Sequence, residues 1–366
     1  MRVALIYLGR RGAGNWISLE LALQFQTIFS TLVITSQYRD NQPGWMALES
    51  EQLILPTFHN AIGALTSLIV PTRINTLIDK LYKFQPDALL FPMFHPWNAI
   101  IQHRMSGVPA VVFVHDPRPH PDLTSWFYGK LEQSSIKQAE RCVVMSGQLT
   151  HELIKRGIQP AKIDVIPLGP YRVSPSRTLA QQKRNIPTIL FFGRIMPYKG
   201  LDLLLHAYAN IRQTNHARLI IAGEGDLKPF KNIMNNLPDI EILNRWISED
   251  EIEKLFSKSD LLILPYTSAS QSGVIPIAAS VGLPVIATRT GGIPEQIEAG
   301  ISGWLVQPGS VDELTEAMRT ALDHPELAHQ RGEALRTRYE NQFPWKNIAH
   351  QVADSLEKVF HTKGQK

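Results

Sequence analysis

The chain has 366 residues, 44% of them apolar and 19% charged, a globular composition long enough to bury two cores. Its formal charge of +4 is spread over both halves, so it lacks the concentrated basic stripe of a nucleic-acid binder. The single cysteine, Cys142, excludes an internal disulfide and suits a reducing compartment.

The opening "MRVALIYLGRR" carries too short an apolar run for a signal peptide. No stretch approaches the roughly 18 uninterrupted apolar residues of a membrane span, so a cytoplasmic protein is expected. Short apolar, β-branched runs follow in order: "RVALIYL", "TLVIT", "ALLFPMF", "AVVFVHD", "CVVMS" and "DVIPLG". Between them "WISLELALQFQTIF", "PTRINTLIDKLYKF" and "SWFYGKLEQSSIKQAE" keep apolar residues near helical spacing. Strands this apolar, alternating with helices, predict an α/β fold whose parallel sheets are covered on both faces. Apolar "IGALTSLIV", 62–70, reads as a packed helix or as a lipid-carrier contact.

"YRVSPSRTLAQQKRNIP", 171–187, is polar and proline-bearing, and reads as a linker. Beyond it the plan repeats with "TILFFG", "ARLIIAG", "IEIL", "DLLILPY", "PVIAT" and "GWLVQ". "SEDEIEKLF" offers Ser248 as an N-cap with Glu251 three residues later, a capping box. A terminal helix begins after Pro344. Doubly wound domains bind ligands at the carboxyl ends of their strands, so the residues that follow strands carry the functional argument.

After the first strand, "GRRGAGNW" sets Gly9, Gly12 and Gly14 ahead of a helix, where backbone amides can approach a phosphate or form a plain turn. The glycine order is not that of a dinucleotide fingerprint, and Thr35-Ser36 ends the second strand where such a fold needs an acid for the ribose. His115 ends a buried strand and Asp116 opens a proline-stiffened loop; His115 with His120 is thin support for a metal. On spacing alone a strand-end histidine is more often structural than catalytic. No D-x-D is present to clamp a metal-bound diphosphate. In "FFGRIMPYKG", Arg194 and Lys199 flank one strand-to-helix turn, which favours an anion. Glu224 lies between two glycines after the next strand, and the amides of Ser272, Gly273 and Val274 open a later helix.

Gly193-Arg194 with Lys199-Gly200, then "AGEGD", "LPY", "GLPVIATRTGGIPE" and "GISGWLVQPG", resemble the donor domain of family-four retaining glycosyltransferases with the GT-B fold. "HDPRPHP" and the Gly-rich first loop match that family's acceptor-side domain, and the "FPW" helix resembles the segment that crosses back to it. The resemblance implies two Rossmann-like domains facing across a cleft: 1–171 joined by 346–366, and 184–345. It implies that Arg194 and Lys199 hold the diphosphate of a nucleotide-sugar donor, covered by Gly12, Ala13 and Gly14. His115 would be catalytic, near the reacting sugar, while Trp246 and Ile247 would meet the nucleobase. Glu224, Ser270, Gln271, Ser272, Gly273 and Val274 complete the implied donor site, with no cofactor and no metal. The acceptor would be a glycan, a lipid-linked glycan or a small molecule, with a weak peripheral contact to the inner face of a membrane. One departure stands out: Ala269 and Ile277 occupy the places of the family's carboxylate pair. That leaves two readings, an enzyme with its own polar solution at Ser270, Gln271 and Ser272, or a catalytically silent partner subunit.

Overall fold

In the computed structural model, residues 1–58, 63, 72–115, 123–172 and 186–363 are described. Asp116, His120, the run 62–70 apart from Gly63, and most of 171–187 lie outside them. The chain divides into two compact units, Met1–Leu168 with Trp345–Lys366, and Gly169–Pro344.

The first unit holds a parallel sheet of β1 (Arg2–Tyr7), β2 (Ser30–Ser36), β3 (Glu51–Leu55), β4 (Ala88–Phe91), β5 (Ala110–Val114), β6 (Arg141–Val144) and β7 (Ile163–Val165). Its spatial order is β3-β2-β1-β4-β5-β6-β7, so the winding reverses between β1 and β4. Strands β1, β4 and β5 consist almost wholly of buried apolar residues because helices cover both sheet faces. Strand β3 escapes the sequence reading: "EQLIL" is a half-exposed edge strand whose polar start hides its role.

The terminal helix Trp345–Lys363 belongs to this unit, packing on β4, β5, β6 and on the helix Ala13–Phe25. Its buried Trp345, Ile348, Val352, Leu356 and Val359 form one face at helical spacing. Each such side chain contributes roughly 1.5–3 kcal/mol when fully buried. Trp345 meets Trp16 edge-to-face at 5.8 Å, and Ser355 Oγ donates to Asp164, which also accepts a two-pronged bond from Arg141.

The second unit repeats the architecture with β8 (Thr188–Phe192), β9 (Arg218–Ala222), β10 (Ile240–Leu243), β11 (Leu261–Leu264), β12 (Val285–Thr288) and β13 (Trp304–Val306). The order β10-β9-β8-β11-β12-β13 puts its reversal between β8 and β11, again with every pair parallel. The loops after β8 and β11 therefore flank the crevice where an open α/β sheet holds ligands. Ser248 and Glu251 form the expected capping box on the helix Glu249–Ser257.

Candidate active site

The turn after β8 is built from backbone. Gly193 N–H donates to Ala222 O (2.9 Å), Ile195 N–H to Glu224 O (2.9 Å) and Gly223 N–H to Leu243 O (3.0 Å), extending the sheet past its strands. This close weave dictates glycine at 223: its φ is +145°, and a Cβ there would stand 2.0 Å from Gly193 O. Gly200, with φ +67°, opens the helix Leu201–Ile211, and its Cβ would stand 2.0 Å from Pro265 O. The turn holding Arg194 and Lys199 is thus pinned to β9 on one side and to the end of β11 on the other. Arg194 is exposed, as is the side chain of Glu224.

Lys199 folds back over this turn: a Cβ on Gly193 would lie 3.7 Å from its Nζ. The ammonium donates to the Tyr266 hydroxyl at 2.6 Å and lies 3.9 Å from that ring's centroid. Part of the Lys199 side chain meets solvent, yet burial pushes its pKa down to about 8, opposed by Tyr198 and reinforced by the like charge of Arg194. Tyr266 itself is fully buried, and that burial raises the pKa of its phenol. Its hydroxyl also bonds the Ser272 side chain.

Ser272 is held in turn by Gln296, from the short helix Ile293–Gln296 in "GGIPEQI". Ser272 N–H donates to Gln296 Oε1 (2.8 Å), and Gln296 Nε2 donates to Ser272 O (2.9 Å) and to the Tyr339 hydroxyl (3.3 Å). Val274 N–H donates to Ser272 Oγ (3.3 Å), and the helix proper starts at Ile275. The amides of Ser272 and Val274 are therefore engaged within the loop. What Ser272 presents instead is a fixed hydroxyl beneath Tyr266. The sequence reading missed Tyr266, which ends the quoted "LPY", since an aromatic after a strand reads as core, and Gln296, one residue past the quoted "GGIPE".

Ala269 and Ile277 are both buried, so the places of the family's two acids are packed apolar ones. Ser270 is buried, its carbonyl accepting from Gly292 N–H (3.1 Å). Gln271 Oε1 is buried with no hydrogen-bond partner among the described residues, and buried polar atoms are rarely left so. Farther along, Ile247 is buried and Trp246 half-buried. Arg245 grips Glu251 with two bonds (2.9 and 2.6 Å) and donates to the Trp246 carbonyl (3.1 Å), which stiffens that loop.

In the first unit, Gly12 has φ +77° and caps the helix Ala13–Phe25 without a side chain. Ala13 follows half-buried, while Gly14 is buried against Met93 from the loop after β4. His115, after β5, has its Nε2 2.8 Å from Pro92 O, a contact in which the ring N–H donates. Burial lowers its pKa, with the Pro92 bond in opposition, so the ring is neutral at pH 7.

Residues 32–169 match the family described as Glycosyltransferase Family 4, and residues 186–324 the family described as Glycosyl transferases group 1. The chain belongs to the family 4 glycosyltransferases. Family 4 relatives include a sulfoquinovosyl transferase of Arabidopsis thaliana, 26% identical over 74% of this chain and 56% of that protein. An MMP alpha-(1->4)-mannosyltransferase of Mycolicibacterium hassiacum is 26% identical over 72% of this chain and 68% of its own length. The D-inositol 3-phosphate glycosyltransferase of Segniliparus rotundus is 27% identical over 72% and 60%. The chain thus spans little more than half of the first of these relatives. Among solved structures, Anabaena HepE in complex with UDP and glucose superposes with a TM-score of 0.76 at 18% identity, covering 97% of this chain and 99% of that one. Sucrose-phosphate synthase from Thermosynechococcus elongatus gives 0.75 at 17% identity, covering 99% of each. These likenesses establish the GT-B fold, with its two parallel-sheet α/β domains.

Proposed function

We propose that this chain is a retaining glycosyltransferase that moves a sugar from a nucleotide-diphosphate sugar to a hydroxyl acceptor without a metal ion. The observation that carries this reading is the pair Arg194 and Lys199 on one glycine-bounded turn after β8, at the reversal of the sheet order. Two cations anchored by backbone at such a crevice suit a diphosphate. The family membership supports it, as do the bound UDP and UDP-glucose in the HepE structures.

The chemistry follows from charge. As the sugar C1–O bond breaks, the departing diphosphate gathers negative charge, so preorganised cations stabilise the transition state more than the ground state. The acceptor oxygen bonds C1 on the same face, and its proton passes to the departing phosphate oxygen. In this reading His115 contacts the reacting sugar as a neutral ring, and Gly12 to Gly14 bring backbone amides to the phosphates. Trp246 and Ile247 meet the base, with Glu224, Ser270, Gln271 and Gly273 around the donor. Gln271 Oε1, a buried acceptor with no partner among the described residues, suits a hydroxyl of the sugar or ribose. The acceptor is a glycan, a lipid-linked glycan or a small molecule, met in the reducing compartment that the buried Cys142 thiol suits.

The test is a screen of UDP-, GDP- and other nucleotide sugars with chelator present, reading nucleoside diphosphate release and the anomeric configuration of the product. Expected is release from one donor class, undiminished by chelator, with configuration kept. An inverted product, or activity restored only by magnesium or manganese, would overturn the mechanism. Donor binding without release or transfer would identify a silent partner subunit.

A further inference from the structure

We propose that Tyr266 is the positioning residue for Lys199, the last link of a buried strut that runs from Gln296 through Ser272 to the lysine ammonium. The proposal rests on Lys199 as a diphosphate contact and adds the group that holds it in place.

The two distances define the contact. Nζ lies 2.6 Å from the phenol oxygen and 3.9 Å from the ring centroid, so the ammonium sits at the oxygen end of the ring. An ammonium has only donors, so the phenol oxygen accepts from it. One aromatic side chain thereby offers a hydrogen bond and a cation–π face to the same charge. A flexible four-carbon stem gains a defined end point from this, and a charge held in place before the ligand arrives needs no reorganisation.

The strut itself is rigid. Tyr266 is 1% exposed, Ser272 3%, Gln296 8% and Tyr339 1%. Gln296 fixes the Ser272 backbone with two bonds, and the Tyr266 carbonyl accepts from Thr288 Oγ1. Thr267 N–H ties the next residue to Tyr198 O at 2.8 Å, linking the loop after β11 to the turn that carries Lys199.

The electrostatics point the same way. Besides Tyr266, the groups that act on Lys199 are Tyr198, which favours the ammonium, and Arg194, which opposes it, with no carboxylate shifting it among the described residues. A cation held against burial and a like charge is arranged for an incoming anion. With the free lysine titrating near 8, a bound phosphate raises its pKa. Affinity for a diphosphate should then be full below about 8 and fall as pH rises through that value.

Inorganic pyrophosphate is the probe, titrated calorimetrically into wild type, Lys199→Ala, Tyr266→Phe and the double variant at pH 7. Expected are losses of about tenfold or more for Lys199→Ala and about five- to tenfold for Tyr266→Phe. The double variant should match Lys199→Ala within about twofold, because Tyr266 acts only through the lysine. The decline in affinity above pH 8 should vanish in Lys199→Ala. Wild-type affinity in Tyr266→Phe, or the same loss from it in the Lys199→Ala background, would overturn the positioning role. Wild-type affinity in Lys199→Ala would remove the diphosphate reading and the proposal together. Should Tyr266→Phe fail to fold, Ser272→Ala keeps the ring and tests the same strut. Its loss, about two- to threefold, should likewise disappear without Lys199.

Discussion

The two units share a sheet plan yet build their carboxyl-edge loops differently. In the second unit the loops after β8, β9 and β11 meet backbone to backbone, and glycines 223 and 200 each face a carbonyl that a Cβ would strike at 2.0 Å. In the first unit the corresponding glycine contacts are to side chains: a Cβ on Gly14 would meet Met93 Cε, and one on Gly9 the Tyr7 ring. A carbonyl inside a sheet extension cannot yield, while a methionine end can. The lesson is that identical topology leaves the precision of a site to loop chemistry, and the charges sit where the loops are stiffest.

The largest expected effect tests that stiffness. Gly223→Ala should destabilise the second unit by about 3 kcal/mol or more, since it meets both a disfavoured φ and a backbone clash. Thermal unfolding followed by circular dichroism would show a midpoint lower by several degrees. An unchanged midpoint would mean that the weave of loops relaxes easily, and the contrast between the units would dissolve.

Next come the charges the weave supports. Arg194→Ala and Lys199→Ala should each cut turnover by about ten- to over a hundredfold, the range of a charge-assisted contact of roughly 1.5–3 kcal/mol, with the fold intact. Steady-state kinetics on the donor found by screening reads this directly, and near-normal turnover in both would remove the phosphate assignment.

For the first unit the sharper test is His115→Ala. It should lower kcat by about a hundredfold, as for loss of a positioned transition-state contact, while leaving nucleoside diphosphate affinity close to wild type. Loss of nucleotide binding or global unfolding instead would place His115, with its bond to Pro92, among structural residues.

Gln271→Ala is a smaller step, expected to cost about 0.5–1.5 kcal/mol of transition-state stabilisation, a few- to tenfold in kcat/KM. Its melting temperature should hold, because the atom removed has no partner to lose among the described residues. A silent Gln271→Ala together with a more active Ile277→Glu would mark the loop as a decayed site. Ile277 is 6% exposed, so the expected result of placing a charge there is loss, not gain. Smallest of all, Gly14→Ala should shift stability by no more than about 0.5 kcal/mol, since Met93 can turn its end away. A change as large as that of Gly223→Ala would erase the comparison.

Much of this molecule was legible in residue order, and the reasons are local. Buried parallel strands must be apolar and β-branched, so β1, β4, β5, β8, β9 and β11 announce themselves in "RVALIY", "ALLF", "AVVFV", "TILFF", "RLIIA" and "LLIL". Ser248 and Glu251 mark a helix start because a capping box spans only four residues. Arg194 and Lys199 stand out because a single turn separates them. Tertiary structure alone decided what holds Lys199. Its partner Tyr266 is 67 residues away, and the Gln296 that fixes Ser272 is 24 residues from it. Hydrogen bonds over such separations leave no periodic trace, since each needs only one residue of the right shape at the end of a different strand. Tertiary packing likewise turned the Ser272 amide inward to Gln296, where residue order alone suggested an anion. Sequence pattern reports what a residue requires of its neighbours along the chain, and the folded sheet decides which distant groups answer it.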